Sequence, residues 1–287
     1  MGGDQLREIA AHLSSLYQRG EPSVVHAKHE LVERLRDIPF LNSLDALLAE
    51  WPSVVRAQLP DLRDEVSSLD LKASEARKYF DQGMCLLFDD IDKISPELTE
   101  SLAAVKRALK LSALTYGRCL VYATPHGKGT APHFDQNINF VIQLSGTKKW
   151  ILAKNENVEN PLTRHTMGLP ADPELSTYLD SPLATQMPKK SVSFELKPGS
   201  ILYVPRGWWH ETEAEGDALA LNFTFTAPAW MDLFLAALRS RLALSPEWRA
   251  TALMSHDERA QLDELLVELV GDLPNWKASD ILKVTEG

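Results

Sequence analysis

The spacing of hydrophobic positions changes twice along the chain, from helical periodicity to strand alternation and back. Residues 4–18 place apolar side chains three and four positions apart, which predicts an amphipathic helix. Helical patterns recur at 44–51, where Asn42 or Ser43 can serve as the N-cap, at 73–82, and in the stretch that begins ISPELTES. The first part of the chain is therefore expected to be largely helical, with one short buried strand in MCLLFDD.

From Arg118 onward the pattern alternates with a period of two. Turn residues at 145–146 separate two apolar runs, so residues 138–153 are predicted to form a hairpin, and a second turn is predicted at 215–217. Short antiparallel strands at close spacing predict a barrel or sandwich rather than a parallel α/β sheet. The predicted strands are CLVYATP, INFVIQL, KKWILA, SVSFEL, SILYVP, WWHETEA and DALALNFTF.

Two further segments complete the pattern. Residues 155–190 are rich in Asn, Pro, Thr and Ser without a strong period, which predicts a long loop with short helical pieces, of a kind that often covers a site. After Pro228 the helical period returns in WMDLFLAALRSRLAL and DERAQLDELLVELVGDL. The sequence thus predicts three regions: residues 1–115, helical with the first strands of the core; residues 116–228, the β core; and residues 229–287, a helical tail.

Composition limits the classes of protein to which the chain can belong. Its 287 residues, 44% hydrophobic and 24% charged, are typical of a globular protein with a substantial core. The net charge of -10 argues against nucleic-acid binding, because no excess of Lys and Arg can neutralise phosphates, and it would suit a basic partner. No apolar run approaches the roughly 20 residues that cross a bilayer and the first residues lack a signal-peptide core, so no membrane contact and a cytoplasmic location are expected.

The two cysteines, Cys85 and Cys119, lie in apolar surroundings without CxxC spacing. This setting predicts buried thiols rather than a disulfide or a thiolate metal site.

The candidate chemistry lies in TAPHFDQNINFVIQLSGTKKW, residues 130–150. His133 and Asp135 are two positions apart in a strand-like setting, so their side chains face the same side and can reach one ion. His210, after PRGWW at the start of another strand, offers a third ligand. Two histidines and one carboxylate form a facial triad that suits Fe(II) and leaves positions for a bidentate cosubstrate and dioxygen. The alternative is that these histidines only cap strand ends.

These motifs resemble those of the Jumonji C (JmjC) class of cupin-fold oxygenases, in particular its protein-hydroxylase branch, between about Ala73 and Pro228. In that class an H-x-D motif begins one strand and the distal histidine ends a G-D-x-L-Y-V-P-x-x-W-x-H pattern. The counterpart here is GSILYVPRGWWH, with Ser200 where an acid is common. The resemblance implies a mainly β fold with flanking helices: a double-stranded β-helix (cupin or jelly-roll) core, a helical N-terminal region and a C-terminal helical tail.

The resemblance also implies a cosubstrate site. Lys148 stands 15 positions after the first histidine, where the hydroxylases carry a basic residue that holds the distal carboxylate of 2-oxoglutarate. Thr130 matches a position whose hydroxyl helps to bind that carboxylate, and Asn139 and Asn222 match asparagines that line the pocket in asparaginyl hydroxylases. Ordinary turn, interior and strand-end roles remain open for these three residues. If the strand is regular, Lys149 faces the side opposite to Lys148.

The implied activity is that of an Fe(II)- and 2-oxoglutarate-dependent dioxygenase. With dioxygen as second cosubstrate, it would hydroxylate an amino-acid side chain in a peptide or protein and release succinate and carbon dioxide. The open alternatives are an N-methyl-lysine demethylase or small-molecule hydroxylase with the same iron chemistry, and a non-enzymatic metal-binding cupin, which would have no need of Lys148. The apolar helix faces after Pro228 could form a homodimer interface or pack on the chain's own barrel.

Overall fold

The structure, a computed structural model, describes residues 3–26, 29–252 and 256–286. The chain divides into two compact units. The first comprises Met1–Lys110 and Tyr116–Thr226, and the second comprises Leu111–Thr115 and Ala227–Gly287. The first unit holds the described strands and the N-terminal helices. The division into the three regions 1–115, 116–228 and 229–287 stays a prediction.

The helices of the first unit begin where side chains can cap them. The hydroxyl of Ser43 accepts a hydrogen bond from the backbone N–H of Ala46 at 3.1 Å, and the hydroxyl of Ser95 accepts one from Leu98 at 3.2 Å. The helices predicted at 4–18, 44–51, 73–82 and from ISPELTES are confirmed. The described helices of this unit are α1 Gly3–Tyr17, α2 His29–Arg36, α3 Leu44–Glu50, α4 Ala73–Asp81, α5 Pro96–Ala108 and α6 Pro173–Ser176.

The β core of this unit is one antiparallel sheet system of eleven described strands. Its hydrogen-bonded order is β1-β10-β7-β11-β5-β4-β2-β3; β9 also pairs with β7, and β6 pairs with β11 and β8. The predicted mainly β fold, a double-stranded β-helix core with flanking helices, is confirmed. The strands are β1 Ser23–Val25, β2 Val54–Gln58, β3 Ser68–Lys72, β4 Leu86–Phe88, β5 Tyr116–Thr124, β6 His133–Phe134, β7 Ile138–Ala153, β8 His165–Thr166, β9 Ser191–Leu196, β10 Ile201–Val204 and β11 Trp209–Thr226.

The hairpin predicted at residues 138–153 is wrong, because β7 is a single strand of 16 residues. The turn predicted at 215–217 is likewise an irregularity within β11, a single strand of 18 residues. These two long strands pair with each other from one end to the other, and their register shifts where the two irregularities meet.

Gly146 explains why a hairpin was wrongly predicted at residues 138–153. Gly146 has a φ of +67°, which favours glycine, and a Cβ atom there would lie 2.2 Å from the carbonyl oxygen of Asp217. Ser-Gly between apolar runs is read as a turn, but here the glycine lets two backbones approach closely at a bulge inside continuous strands.

Replacing Gly146 with alanine is expected to lower the free energy of unfolding by about 2–4 kcal/mol, because strain at positive φ and the collision with Asp217 add together. Gly20 is the matched control, since its φ is +71° and a Cβ atom added there would meet no atom within 4 Å. Gly20→Ala should cost only about 1 kcal/mol. Denaturant unfolding of both variants checks the difference, and equal losses would show that the close approach costs nothing.

The second unit contains three described helices, α7 Trp230–Leu242, α8 His256–Asp272 and α9 Ala278–Glu286. The predictions of the first two are confirmed, and α9 was not predicted. α7 packs against α9, and the rings of Phe234 and Trp276 lie 5.7 Å apart between their centroids. Among the described helices of the whole chain, none has the length and apolarity that spanning a bilayer requires.

Candidate active site

Strand pairing brings the three predicted metal ligands together. His133 in β6 lies directly opposite His210 in β11, and Asp135 follows β6 by one position. His133 Nε2 is 4.0 Å from Asp135 Oδ1, and His210 Nε2 is 3.7 Å from Asp135 Oδ2. One ligand atom from each of the three residues lies within 4.8 Å of the others, so a single ion can contact all three.

The orientation of both imidazoles suits a divalent metal. Nδ1 of His133 lies 2.8 Å from the carbonyl oxygen of Ala131, and Nδ1 of His210 lies 2.9 Å from that of Trp208. Because a carbonyl oxygen can only accept, each Nδ1 carries the proton, which leaves the lone pair on Nε2 for the ion. Two imidazole nitrogens and one carboxylate, with the rest of the coordination sphere open to the cavity, fit Fe(II).

Burial keeps these imidazoles neutral. Burial, followed by the charges of His210 and Arg164, holds the pKa of His133 well below its usual range. Burial also lowers the pKa of His210, although the charge of Asp135 opposes the shift. Both side chains therefore present a lone pair rather than a second proton at neutral pH.

Lys148 points into the same cavity from β7 and is only 4% exposed, whereas Lys149 is exposed, as the alternation of a strand predicts. The ammonium of Lys148 donates a hydrogen bond to Thr124 Oγ1 at 3.1 Å. No carboxylate of the described residues forms an ion pair with it, and burial lowers the pKa of Lys148 to about 8. A buried ammonium without an acidic partner is a receptor for an anion that the chain itself does not supply.

The remaining predicted site residues also line this cavity, but with different contacts. Asn139 donates from Nδ2 to Asp135 Oδ2 at 3.0 Å, so its observed contact is with the carboxylate of a predicted metal ligand. Asn222 Oδ1 is buried without a hydrogen-bond partner. The backbone N–H of Thr130 donates to Thr212 Oγ1 at 3.0 Å, which fixes the segment that precedes the metal ligands.

His165 and Trp209 are packing residues beside the predicted metal ligands. The ring of His165 lies 5.7 Å from that of Phe134 and 5.9 Å from that of Trp209, between centroids. Trp209 is fully buried and packs in a small core with Phe134 and Leu175. The 155–190 segment is a long loop with one short helix, as predicted, and it packs Val158 and Leu175 against residues of the β core.

Several residues of the site were not predicted from the sequence. Arg164 donates from Nε to Asp135 Oδ1 at 3.1 Å and forms a two-bond fork with Asp64. Tyr122 donates its hydroxyl to Glu65 Oε1 at 2.5 Å, and both line the cavity. Asp64 and Glu65 lie in the β2–β3 loop, far from the H-x-D motif in sequence, so no local spacing indicated them.

The pairing of Arg164 with Asp64 determines the ionisation of both residues. Burial opposes the charge on Asp64, but the hydrogen bond from Arg164 and its positive charge outweigh that cost, so the pKa of Asp64 is lowered. Burial likewise opposes the charge on Arg164. The hydrogen bonds to Asp64 and the negative charges of Asp135 and Asp64 outweigh the cost of burial, so the pKa of Arg164 is raised. Both groups are ionised at neutral pH.

Comparison with known proteins gives a family for this arrangement. The family model of the JmjC domain matches residues 99–233, which include every predicted site residue. The protein YxbC of Bacillus subtilis (strain 168), described as uncharacterized, is 33% identical over 256 residues, which cover 84% of this chain and 77% of YxbC.

Two further relatives have descriptive names but are much longer. Ribosomal oxygenase 1 of Danio rerio is 32% identical over 44% of this chain and 22% of its own length. The bifunctional lysine-specific demethylase and histidyl-hydroxylase NO66 of Drosophila persimilis is 33% identical over 42% of this chain and 16% of its own length. Family model, relative and the geometry of the site agree, and the chain belongs to the JmjC family of Fe(II)- and 2-oxoglutarate-dependent oxygenases.

Proposed function

We propose that this protein hydroxylates an amino-acid side chain in a peptide or protein, consuming 2-oxoglutarate and dioxygen and releasing succinate and carbon dioxide. The observation that carries this proposal is the buried ammonium of Lys148, without an acidic partner among the described residues, in the cavity that also holds the His133–Asp135–His210 triad. A cupin that only bound a metal would gain nothing from such a costly buried charge.

In this proposal His133, Asp135 and His210 hold the iron. When bound, Fe(II) supplies the chemistry that couples decarboxylation of 2-oxoglutarate to oxidation of a substrate C–H bond. Lys148 binds the distal carboxylate of 2-oxoglutarate, and Thr124 orients the ammonium through their 3.1 Å hydrogen bond.

The other predicted residues position these groups. Thr130 adds a hydroxyl to the anchor for the distal carboxylate, and Asn222 lines the cosubstrate pocket. Asn139 holds the carboxylate of Asp135 and borders the same pocket.

A protein substrate with a basic side chain fits the cavity wall. Glu65 contributes a carboxylate to the wall, and the buried acceptor Gln136 Oε1 has no hydrogen-bond partner. Such acceptors favour a side chain that brings N–H donors. The names of the relatives, a ribosomal oxygenase and a histidyl-hydroxylase, support a protein as the substrate class.

The experiment is a turnover assay with isotope-labelled 2-oxoglutarate and the iron-loaded protein. Succinate formation, stimulated by peptides that contain Arg, His or Lys more than by matched neutral peptides, is expected. Mass spectrometry of the peptide then shows the gain of one oxygen atom. Absence of both succinate formation and anaerobic 2-oxoglutarate binding would rule the proposal out.

N-methyl-lysine demethylation is the second candidate, because one relative is named as both a demethylase and a hydroxylase. The two reactions share the iron chemistry and differ in the product. A trimethylated lysine peptide that loses a methyl group while unmethylated peptides gain no oxygen would favour demethylation.

The affinity for 2-oxoglutarate is expected to fall as the pH rises through about 8. The pKa of Lys148 is about 8 in the ligand-free protein, so its ammonium becomes neutral above that value while both carboxylates of the ligand stay ionised. Calorimetric titration between about pH 7 and pH 9.5 measures the effect. Lys148→Arg, which stays charged throughout, is the control and should bind with little pH dependence; a parallel decline in both proteins would contradict this origin.

We also propose a homodimer formed through the C-terminal helices. Support comes from large apolar side chains that the second unit leaves exposed: Trp230, Met231, Leu235, Leu244, Leu262, Leu266, Val267 and Val270. Trp230 is 77% exposed and Val267 is 74% exposed, which is costly for an isolated helical unit. Light scattering should give twice the chain mass of 32.1 kDa for the parent and a single mass for Val267→Glu; a monomeric parent at about 100 µM would exclude the dimer.

A further inference from the structure

Arg164 links the carboxylate of a predicted metal ligand to a buried carboxylate of a distant loop. Its Nη1 and Nη2 donate to the two oxygens of Asp64 at 2.7 and 2.6 Å, its Nη1 also donates to Thr166 Oγ1 at 2.8 Å, and its Nε donates to Asp135 Oδ1 at 3.1 Å. Four donor contacts thus engage a group that has five N–H bonds in a rigid plane. The guanidinium is fixed in both position and orientation.

Asp64 serves as the anchor of this group. Its side chain is 0% exposed, and it forms its ion pair with the Arg164 fork. The backbone N–H of Val66 also donates to Asp64 Oδ1 at 3.1 Å, which fixes the carboxylate within its own loop. A two-bond fork between ions in a buried setting is both strong and geometrically specific.

The carboxylate of Asp135 is consequently held from two sides. Arg164 binds Oδ1, and Asn139 binds Oδ2 at 3.0 Å. The imidazoles of His133 and His210 are each held by a backbone carbonyl nearby in sequence. The aspartate ligand differs from the histidine ligands because its orientation depends on side chains from remote parts of the chain.

Those remote parts also contribute side chains to the cavity wall. Arg164 belongs to the 155–190 segment and Asp64 to the β2–β3 loop, and Arg164 and Glu65 both line the cavity. The β2–β3 loop also contacts the metal-ligand segment directly, because the backbone N–H of Ala131 donates to the carbonyl of Arg63 at 2.9 Å. A shift of either segment would therefore be transmitted to the Asp135 carboxylate.

We infer that Arg164, anchored by Asp64, is a positioning residue for Asp135 and couples the geometry of the metal centre to the 155–190 segment and the β2–β3 loop. This inference rests on the proposed function for the role of Asp135 as a ligand. Groups that hydrogen-bond to a metal ligand set its orientation and basicity, and their loss costs about 10–100-fold in metal affinity or activity.

The test measures metal binding without turnover. Co(II) titrations followed by visible absorption, and Mn(II) titrations followed by electron paramagnetic resonance, give an affinity and a signature of ligand geometry. Arg164→Lys keeps the charge but loses the planar fork. The double variant Asp64→Asn with Arg164→Gln removes both charges together, so that no unpaired ion is left buried.

Arg241→Lys is the matched control, because Arg241 forms a similar fork with Asp272 in the second unit, at 2.9 and 2.8 Å. Both test variants are expected to bind Co(II) and Mn(II) about 10–100-fold more weakly and to change the Co(II) spectrum, whereas the control stays within about twofold of the parent.

Unchanged affinity and an unchanged spectrum in folded test variants would overturn the inference and leave the proposed function intact. Failure of both variants to fold would also count against it, because the pair would then serve the stability of the two segments. Weakened metal binding in the variants, together with a parent that binds metal but never turns over 2-oxoglutarate, would instead support the inference and reject the proposed function.

Discussion

Replacing Lys148 with methionine is expected to abolish 2-oxoglutarate turnover and, in the same protein, to raise the stability of the ligand-free fold. The ammonium is buried without a carboxylate partner among the described residues, and burial lowers its pKa from 10.5 to about 8. A depression of that size corresponds to roughly 3 kcal/mol of unfavourable free energy for the charged form. Methionine has a similar length and no charge, so the variant avoids this cost but loses the anion receptor.

The sign of the pH dependence follows from the same pKa. Because the folded protein releases the Lys148 proton more readily than the unfolded chain does, the cost of the buried charge is present in full below about pH 8. It is relieved as the pH rises from about 8 to about 10.5, so the ligand-free parent gains stability over that interval. The stabilising effect of Lys148→Met should therefore be largest at neutral pH and should shrink above pH 8.

The measurements are succinate formation and denaturant unfolding, each for Lys148→Met and for Lys149→Met. Lys149 is exposed on the opposite face of β7, so its replacement should leave both turnover and stability close to those of the parent. Equal loss of turnover in the two variants, or near-parental turnover by Lys148→Met, would remove Lys148 from the cosubstrate site.

Removal of the first histidine of the triad should have the other large effect. His133→Ala is expected to lower turnover by at least about a thousandfold, because the variant loses one of three protein ligands and the ion is held by His210 and Asp135 alone. Metal affinity, measured by Co(II) titration, should fall in parallel.

His126→Ala controls for the loss of a histidine from the same part of the chain. His126 is exposed and its Nδ1 accepts a hydrogen bond from the backbone N–H of Gly216, outside the ligand set. This variant should keep the metal affinity of the parent. If His133→Ala retained parental Co(II) binding and turnover, the assignment of the triad would have to be abandoned.

Short motifs indicated which residues the fold brings together at the site. Alternation along a strand is a local property, and it correctly predicted that Lys148 and Lys149 face opposite sides; the resemblance to the JmjC class implied that Lys148 is the inward one, and Lys148 is buried while Lys149 is exposed. The same rule gave His133 and Asp135 a common face, and strand pairing sets His210 opposite His133. Buried, free Cys85 and Cys119 likewise agree with their apolar surroundings.

The path of the backbone was less predictable. Ser-Gly at 145–146 and the acidic turn residues at 215–217 have the composition of hairpin turns, yet both lie within long continuous strands. A local turn signal cannot distinguish a chain reversal from a bulge, because that choice depends on which strand lies alongside. The short strands β2 and β3 were missed for a related reason, since five residues give little period-two signal.

The sequence by itself predicted an antiparallel β core between helical regions, because that depends on local periodicity, and its resemblance to the JmjC class predicted the three metal ligands and a role for Lys148. Only the tertiary structure decided what holds those donors in place. Arg164 meets Asp64 across 100 positions of sequence, and Lys148 meets Thr124 across 24. Such contacts are fixed by the path of the whole chain and by the need of buried polar groups for hydrogen-bond partners, and neither is recorded in any short stretch of residues.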